Sequence, residues 1–178
     1  MADSPKDIIF RNFSDVIKRC PLESNAIAQE NALSCMLAYF ESCDVETGKK
    51  LRPEITAIAI EKGLSAARAG TRSKTIELLM ILIELDVAEP VVQELLPFFA
   101  HKQPKLVAAC VNCLSEIVRN YGAEVAGAKT IIKSISPVFQ HADKSVRAEA
   151  TALVVELSRW LGSGFVAVLQ GLKPVQLK

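Results

Sequence analysis

Apolar residues recur along most of the chain at steps of three and four, the spacing of one helix face. Ile131, Ile132, Ile135, Val138 and Phe139 predict a helix from about Lys129 to His141. A short polar turn, Ala142-Asp143-Lys144, follows, with Asp143 suited to cap the next helix. That helix carries Val146, Ala150, Leu153, Val154, Leu157 and Leu161 on its inner stripe and stops at Gly162, a residue typical just past a helix end. Upstream, the same rhythm predicts helices near Arg52 to Ser65 and Ser73 to Leu85, and near Asp7 to Cys20 and Ala26 to Glu41. In the first of these Phe13, Val16, Ile17 and Cys20 form one stripe; in the next, Ile27, Leu33, Met36, Leu37 and Phe40 do. A partial helix begins near Gly164 and runs to Lys173-Pro174. No stretch keeps the strict alternation of a strand, and no segment rich in Pro, Gly or Ser interrupts the pattern.

The pattern also repeats. Placed over Ile135 to Gly162, the stretch Leu95 to Gly122 brings Pro97 onto Pro137, Phe99 onto Phe139 and His101 onto His141. Ala108 then meets Ala148, Glu116 meets Glu156, Arg119 meets Arg159 and Gly122 meets Gly162, at a constant offset of 40 without a gap. A period of about 40 residues, two helices to the unit, is that of HEAT and armadillo repeats. The expected fold is therefore all-α, a HEAT-repeat α-solenoid of about four helical hairpins plus a partial C-terminal helix, forming a single domain over residues 1–178. Pro97 and Pro137 fall inside the first helices of their units, where a proline removes a backbone hydrogen bond, so a matched kink is expected at both. Pro104 falls in a first turn, where proline costs little.

Composition agrees with packed helices: half the residues are apolar and only 6% are aromatic. The five cysteines, Cys20, Cys35, Cys43, Cys110 and Cys113, are odd in number and irregularly spaced. They read as small buried thiols of a reducing compartment. No charged stretch followed by an apolar run opens the chain, and the most apolar segment, Ile76 to Leu85, contains Glu77 and Glu84. No membrane association and a cytoplasmic location are expected.

The formal net charge is only +1, so any electrostatic message lies in distribution. In a stack of hairpins the turns within hairpins line one edge. That edge carries Arg68, Arg72, Lys74, Lys102, Lys105, Lys144 and Arg147, opposed by Glu23 and Asp143. The other edge is mildly acidic, with Glu41, Asp44, Glu46, Glu54, Glu84, Asp86, Glu89 and Glu124 against fewer cations. A solvated turn tolerates any single lysine. Recurrence over successive turns points instead to an extended acidic protein partner.

No catalytic constellation emerges. Cys110-x-x-Cys113 has half of a zinc-site spacing but no second pair, and one turn of a buried helix explains it. His101 and His141 close first helices, where a histidine meets the negative helix end, and neither has a Ser, Cys or Asp partner. Gly162-Ser163-Gly164 lacks the strand and third glycine of a dinucleotide loop. Glu77 with Glu84, and Glu149 with Glu156, read as solvated helix faces. No aromatics interleave the basic turns, which speaks against nucleic acid. Neither enzyme activity, a metal nor a cofactor is expected.

Several turns resemble those of a known family. Ser24-Asn25-Ala26-Ile27-Ala28-Gln29-Glu30 is similar to the second tubulin-contacting turn of TOG domains and the helix after it. Thr71-Arg72-Ser73-Lys74-Thr75 looks like the third, His101-Lys102-Gln103-Pro104-Lys105 like the fourth, and Asp143-Lys144-Ser145-Val146-Arg147-Ala148-Glu149 like the fifth. Arg159-Trp160-Leu161-Gly162 and Leu172-Lys173-Pro174-Val175-Gln176-Leu177-Lys178 resemble the end of the first TOG domain of microtubule polymerases.

The resemblance, from about Asp7 to Lys178, implies recognition of free αβ-tubulin by the turns within hairpins, promoting microtubule growth at the plus end and in the spindle. The implied binding residues are Asn25, Arg72, Lys74, Lys102, Lys105, Lys144 and Arg147, the later turns meeting α-tubulin and the earlier ones β-tubulin. A generic HEAT scaffold for another acidic protein is the alternative. Such domains open with a further hairpin that presents a tryptophan; here the only tryptophan is Trp160, which reads as a packing residue, and the chain reads as shortened at its N-terminus. Ile8, Ile9, Phe10, Phe13, Val16 and Ile17 make the first helix apolar over more than one stripe, so part of this surface should be exposed, rearranged or covered, with self-association as one route. Arg147, in a helix's first turn, gains nothing from the dipole. Its guanidinium is expected to point to solvent, toward a partner.

Overall fold

A computed structural model of the chain describes residues 13–162 and residue 165. Among these, no strand occurs, and the chain divides into two compact units, Met1–Val91 and Val92–Lys178.

In the first unit, residues 13–19 form α1, which tightens into a 3-10 turn at Cys20–Leu22. Then come α2 (Ala26–Ser42), α3 (Val45–Gly63) and α4 (Ala69–Glu84). α2 and α4 pack side by side and run parallel, since Glu30 meets Arg68 and Ser34 meets Lys74. α3 returns antiparallel between them in sequence. Its last residue, Gly63, touches Thr75 near the start of α4, and Gly48 touches Leu85 just past the end. Leu33, Met36 and Phe40 of α2, Ile55, Ala59 and Ile60 of α3, and Leu78, Leu79 and Leu82 of α4 fill the core.

α3 starts seven residues ahead of the sequence expectation of Arg52. Asp44 caps it, its carboxylate accepting from the Thr47 amide at 2.9 Å and hydroxyl at 2.6 Å. Pro53 lies inside the helix. Ile27 was placed on an inner stripe but is 62% exposed, because the packed face of α2 starts only at Leu33. In α1 only Ile17 is buried, while Phe13 and Val16 are each 53% exposed, in line with the unpartnered apolar face expected there. Ile8, Ile9 and Phe10 lie outside the described residues.

The division between units falls within α5 (Glu89–Leu95). The second unit continues with a 3-10 turn at Leu96–Ala100, α6 (Pro104–Tyr121), α7 (Ala128–Ser134), α8 (Ser136–Phe139) and α9 (Lys144–Leu161). The two interior prolines act alike. Pro97 sits where α5 gives way to the 3-10 turn, and Pro137 sits at the start of α8, after a break at Ile135. α6 and α9 form the tightest packing in this unit and run parallel. Asn112 bonds Glu149, Arg119 bonds Glu156, and Gly122 lies under the Trp160 ring. The seam is closed by Leu106, Val107, Cys110, Leu114 and Ile117 against Val146, Ala150, Leu153 and Leu157. Each fully buried side chain of this kind contributes about 1.5–3 kcal/mol. Of the partial C-terminal helix, only Phe165 is described; it is helical and buried.

Cysteine placement corrects one expectation. Cys110 and Cys113 are fully buried, and burial pushes the Cys110 thiol up to about 12. Cys35, however, is exposed, and Cys20 and Cys43 are half-buried. Among the described residues no group of three metal-ligating side chains comes together, and no helix is long and apolar enough to cross a membrane.

Candidate functional site

Because the second helices of successive hairpins are parallel within each unit, the turns that precede them are neighbours. In the first unit these are the turn at Glu23–Asn25 and the turn from Leu64 to Arg68; in the second, His101–Gln103 and His141–Asp143.

In the second unit three of the expected cations are available. Lys102, Lys105 and Lys144 are exposed and pair with no described residue. They sit at the start of α6 and α9, where lysine is mildly disfavoured by the helix dipole. Asp143 caps α9, accepting from the Ser145 amide at 2.7 Å and hydroxyl at 2.6 Å. Those bonds, the hydroxyl's first, hold its carboxyl below the ordinary range.

Arg147 behaves differently from the expectation. Its Nη1 donates to the carbonyls of His141 and Ala142, each at 2.7 Å, so the guanidinium folds back onto its own turn. The physical reason is that carbonyls ahead of a helix have no helical donor, and an arginine one turn inside can reach them. Arg72 repeats this in the first unit, its Nη1 donating to Ala66 at 2.7 Å and Ala67 at 2.8 Å. The histidines also take up a role other than the dipole one. His101 Nδ1 accepts from the Gln103 amide at 3.2 Å, and His141 Nδ1 from the Asp143 amide at 3.0 Å.

The first unit's cations are partly spoken for. Glu30, absent from the sequence reading of this edge, accepts from Arg68 Nε at 2.6 Å and lies 3.8 Å from Lys74 Nζ. The bond from Arg68 holds its carboxyl below the ordinary value. Lys74 also donates to the Ser34 hydroxyl at 2.7 Å, which ties α4 to α2. Thr71 and Thr75, within the stretch likened to a binding turn, are fully buried on α4 and cannot face a partner. Asn25 is exposed, but its side-chain oxygen accepts from the Ile27 and Ala28 amides at 3.0 and 3.1 Å as the cap of α2. Glu23 closes the same turn by accepting from the Asn25 amide at 2.8 Å.

At the opposite ends of α6 and α9, Glu156 is 5% exposed rather than solvated. It accepts from Arg119 Nε and Nη2 at 3.2 and 3.0 Å and from Arg159 Nη1 at 2.8 Å, and the Arg119 bonds lead in holding its carboxyl low. Trp160 is 56% exposed, with one ring edge over Gly122.

The order of these helices and turns matches a family of known domains. The family profile described as XMAP215/Dis1/CLASP, TOG domain, covers residues 2–178. The chain belongs to this TOG-domain family. It is 39% identical over 172 residues to the spindle pole body component alp14 of Schizosaccharomyces pombe, and 32% identical over 176 residues to the protein mini spindles of Drosophila melanogaster. These alignments take in 96% and 99% of this chain but only 21% and 8% of the relatives, so the chain spans about a fifth of the length of one and under a tenth of the other. Among solved structures, a chain from work on tubulin recruitment and assembly by microtubule polymerases with TOG domain arrays superposes with a TM-score of 0.82 at 28% identity. That match covers 97% of this chain and 40% of the other. The third TOG domain of Drosophila mini spindles gives a TM-score of 0.78 at 21% identity, covering 93% of this chain and 74% of its own, which speaks to fold alone. The fold is the HEAT-repeat solenoid of TOG domains.

Proposed function

We propose that this TOG domain binds αβ-tubulin through the turns that precede α2, α4, α6 and α9, as the tubulin-recognising part of a microtubule polymerase. The observation that carries the reading is the set of exposed lysines in the second unit, Lys102, Lys105 and Lys144, which lie on two neighbouring turns and pair with no described residue. Cations with no partner among the described residues, held on ordered turns, suit an acidic protein surface. Relatives described by tubulin recruitment and by TOG–tubulin binding specificity point to tubulin as that surface. The work is binding rather than catalysis, in the cytoplasm on microtubules and the spindle, and residues 1–178 act as one domain. Arg72 and Arg147 belong to the site through the turns they hold, and Asn25 through the helix it caps; Lys74, tied to α2, adds charge at its margin. Gel filtration of the chain with purified tubulin tests this. Co-elution that weakens as salt rises is expected; separate elution at low salt and micromolar concentration overturns it.

A further inference from the structure

Glu30 reaches from α2 to the start of α4 and engages two cations of the binding edge. Its carboxylate accepts from Arg68 Nε at 2.6 Å and lies 3.8 Å from Lys74 Nζ. Gly70, the second residue of α4, makes the room, because a Cβ there would run into the Glu30 carboxylate. The charge therefore lies against the first turn of α4, where the helix dipole favours an anion and where Arg68, the N-cap residue, supplies no side-chain cap. The second unit is built otherwise at the matching place. Glu30 is the fifth residue of α2, whereas the fifth residues of α6 and α9 are Ala108 and Ala148. There Lys102, Lys105 and Lys144 pair with no described residue. Core packing does not call for the carboxylate either: Leu33, Met36, Leu78 and Leu79 already fill the seam of α2 and α4, and Lys74 ties the two helices through the Ser34 hydroxyl.

We infer that Glu30 is a specificity-determining residue of the tubulin-binding edge: it occupies Arg68 and Lys74 in the free chain, so a partner gains these cations only by presenting carboxylates placed to displace it. This rests on the tubulin-binding reading and adds a repulsive element to it. Discrimination between partners needs features that act against the wrong one as well as contacts to the right one. A folded acidic surface holds its carboxylates in fixed places, so it can take over a cation from Glu30 without first ordering itself. A flexible acidic polymer has to order its side chains to do the same, and that entropy opposes the exchange. Arg68 remains 48% exposed while Glu30 is 20% exposed, so the cation can be approached from solvent with its internal partner in place behind it. The two units then differ in kind: the second offers its lysines to any acidic partner, and the first yields its cations selectively.

Glu30→Gln removes the charge and keeps the size, and its effect separates masking from a merely structural tie. Loss of a tie leaves binding unchanged or weakens it, whereas loss of a mask strengthens it. The whole chain and the variant are titrated with poly-glutamate and with purified tubulin at low salt, with circular dichroism to establish folding. Poly-glutamate is expected to bind Glu30→Gln about 3- to 10-fold more tightly, the worth of one or two exposed ion pairs, and tubulin affinity to rise by less. Poly-glutamate affinity that is unchanged or lower in the folded variant overturns the masking. An equal or larger gain for tubulin overturns the role in specificity. A second comparison stands even if Glu30→Gln does not fold: Arg68→Gln, which removes a cation already taken, should weaken poly-glutamate binding less than Lys102→Gln, which removes an available one. Equal weakening by the two overturns the masking as well. Should the unsubstituted chain fail to bind tubulin, the tubulin reading falls and the specificity role with it, while the poly-glutamate arm still decides whether Glu30 masks these cations.

Discussion

Where α3 meets α4, a single hydrogen atom's worth of space sets the hairpin that leads into the Arg68 turn. Gly63, the last residue of α3, is buried, and a Cβ there would run into Thr75 Oγ1 and Cγ2 and crowd its Cβ at 3.0 Å. Its backbone is not in the left-handed region, so alanine is conformationally acceptable and the cost of Gly63→Ala is steric alone. Overpacking of this kind costs about 1–3 kcal/mol. Better helix propensity returns at most ~1 kcal/mol, less at a helix end. The net expectation is a loss of about 1–2 kcal/mol. Thr75→Ala removes the two nearest of these atoms, together with the 2.8 Å bond from Thr75 Oγ1 to the Thr71 carbonyl, and leaves Cβ at 3.0 Å. In that background the clash is eased but not abolished, so Gly63→Ala should cost less, giving a favourable coupling of about 1 kcal/mol in a double-mutant cycle. Urea unfolding followed by circular dichroism measures all four proteins. Simple additivity would mean that the two helices do not approach at this point, and the hairpin geometry drawn here would be wrong.

Other expectations follow from the same contacts. Glu156→Ala, which strips three arginine N–H bonds from a buried carboxylate, should lower the thermal midpoint by about a few degrees, and Arg119→Met should do the same, whereas Glu77→Ala on an exposed face should not. Arg52 hydrogen-bonds Asp86 and holds its carboxyl down to about 2, against an ordinary value of 3.8. A carboxyl depressed by folding stabilises fully above its unfolded value and loses that contribution as pH falls through its folded one. The stability gap between the natural chain and Asp86→Asn should therefore close between about pH 4 and pH 2 in thermal scans. A thiol reagent at neutral pH should modify exposed Cys35 at least about 100-fold faster than buried Cys110 and Cys113, which should react only on unfolding.

The repeat and its consequences were legible because they depend on spacing. The 40-residue offset of Pro97 and Pro137 predicted a matched kink in two first helices, and both helices are interrupted at these prolines, since a proline's missing N–H acts wherever it falls in a helix. The TOG resemblance read from the turns agrees with the family that the whole chain matches. What stayed hidden depends on which neighbour a side chain meets. Glu30 and Glu156 look like surface carboxylates in sequence; each is drawn in by arginines and lysines 37 to 44 residues away or on its own helix. Arg147 looked like a cation with no local task because carbonyls, unlike carboxylates, leave no mark in a charge pattern. A signal did exist for the start of α3: Asp44 followed by Thr47 is a capping arrangement, and the expectation of a helix from Arg52 did not use it.

The central claim is that the exposed lysines of the turns before α6 and α9 meet an acidic face of tubulin. Its most direct test is a tubulin titration of the chain with Lys102, Lys105 and Lys144 all changed to Ala, at two salt concentrations, with circular dichroism as the folding control. Three exposed charges at ~0.5–1 kcal/mol each amount to a loss of about 10- to 100-fold in affinity. The account predicts that loss at low salt, a smaller one at high salt, and an unaltered helical spectrum. A folded triple variant that binds tubulin as tightly as the natural chain would contradict it.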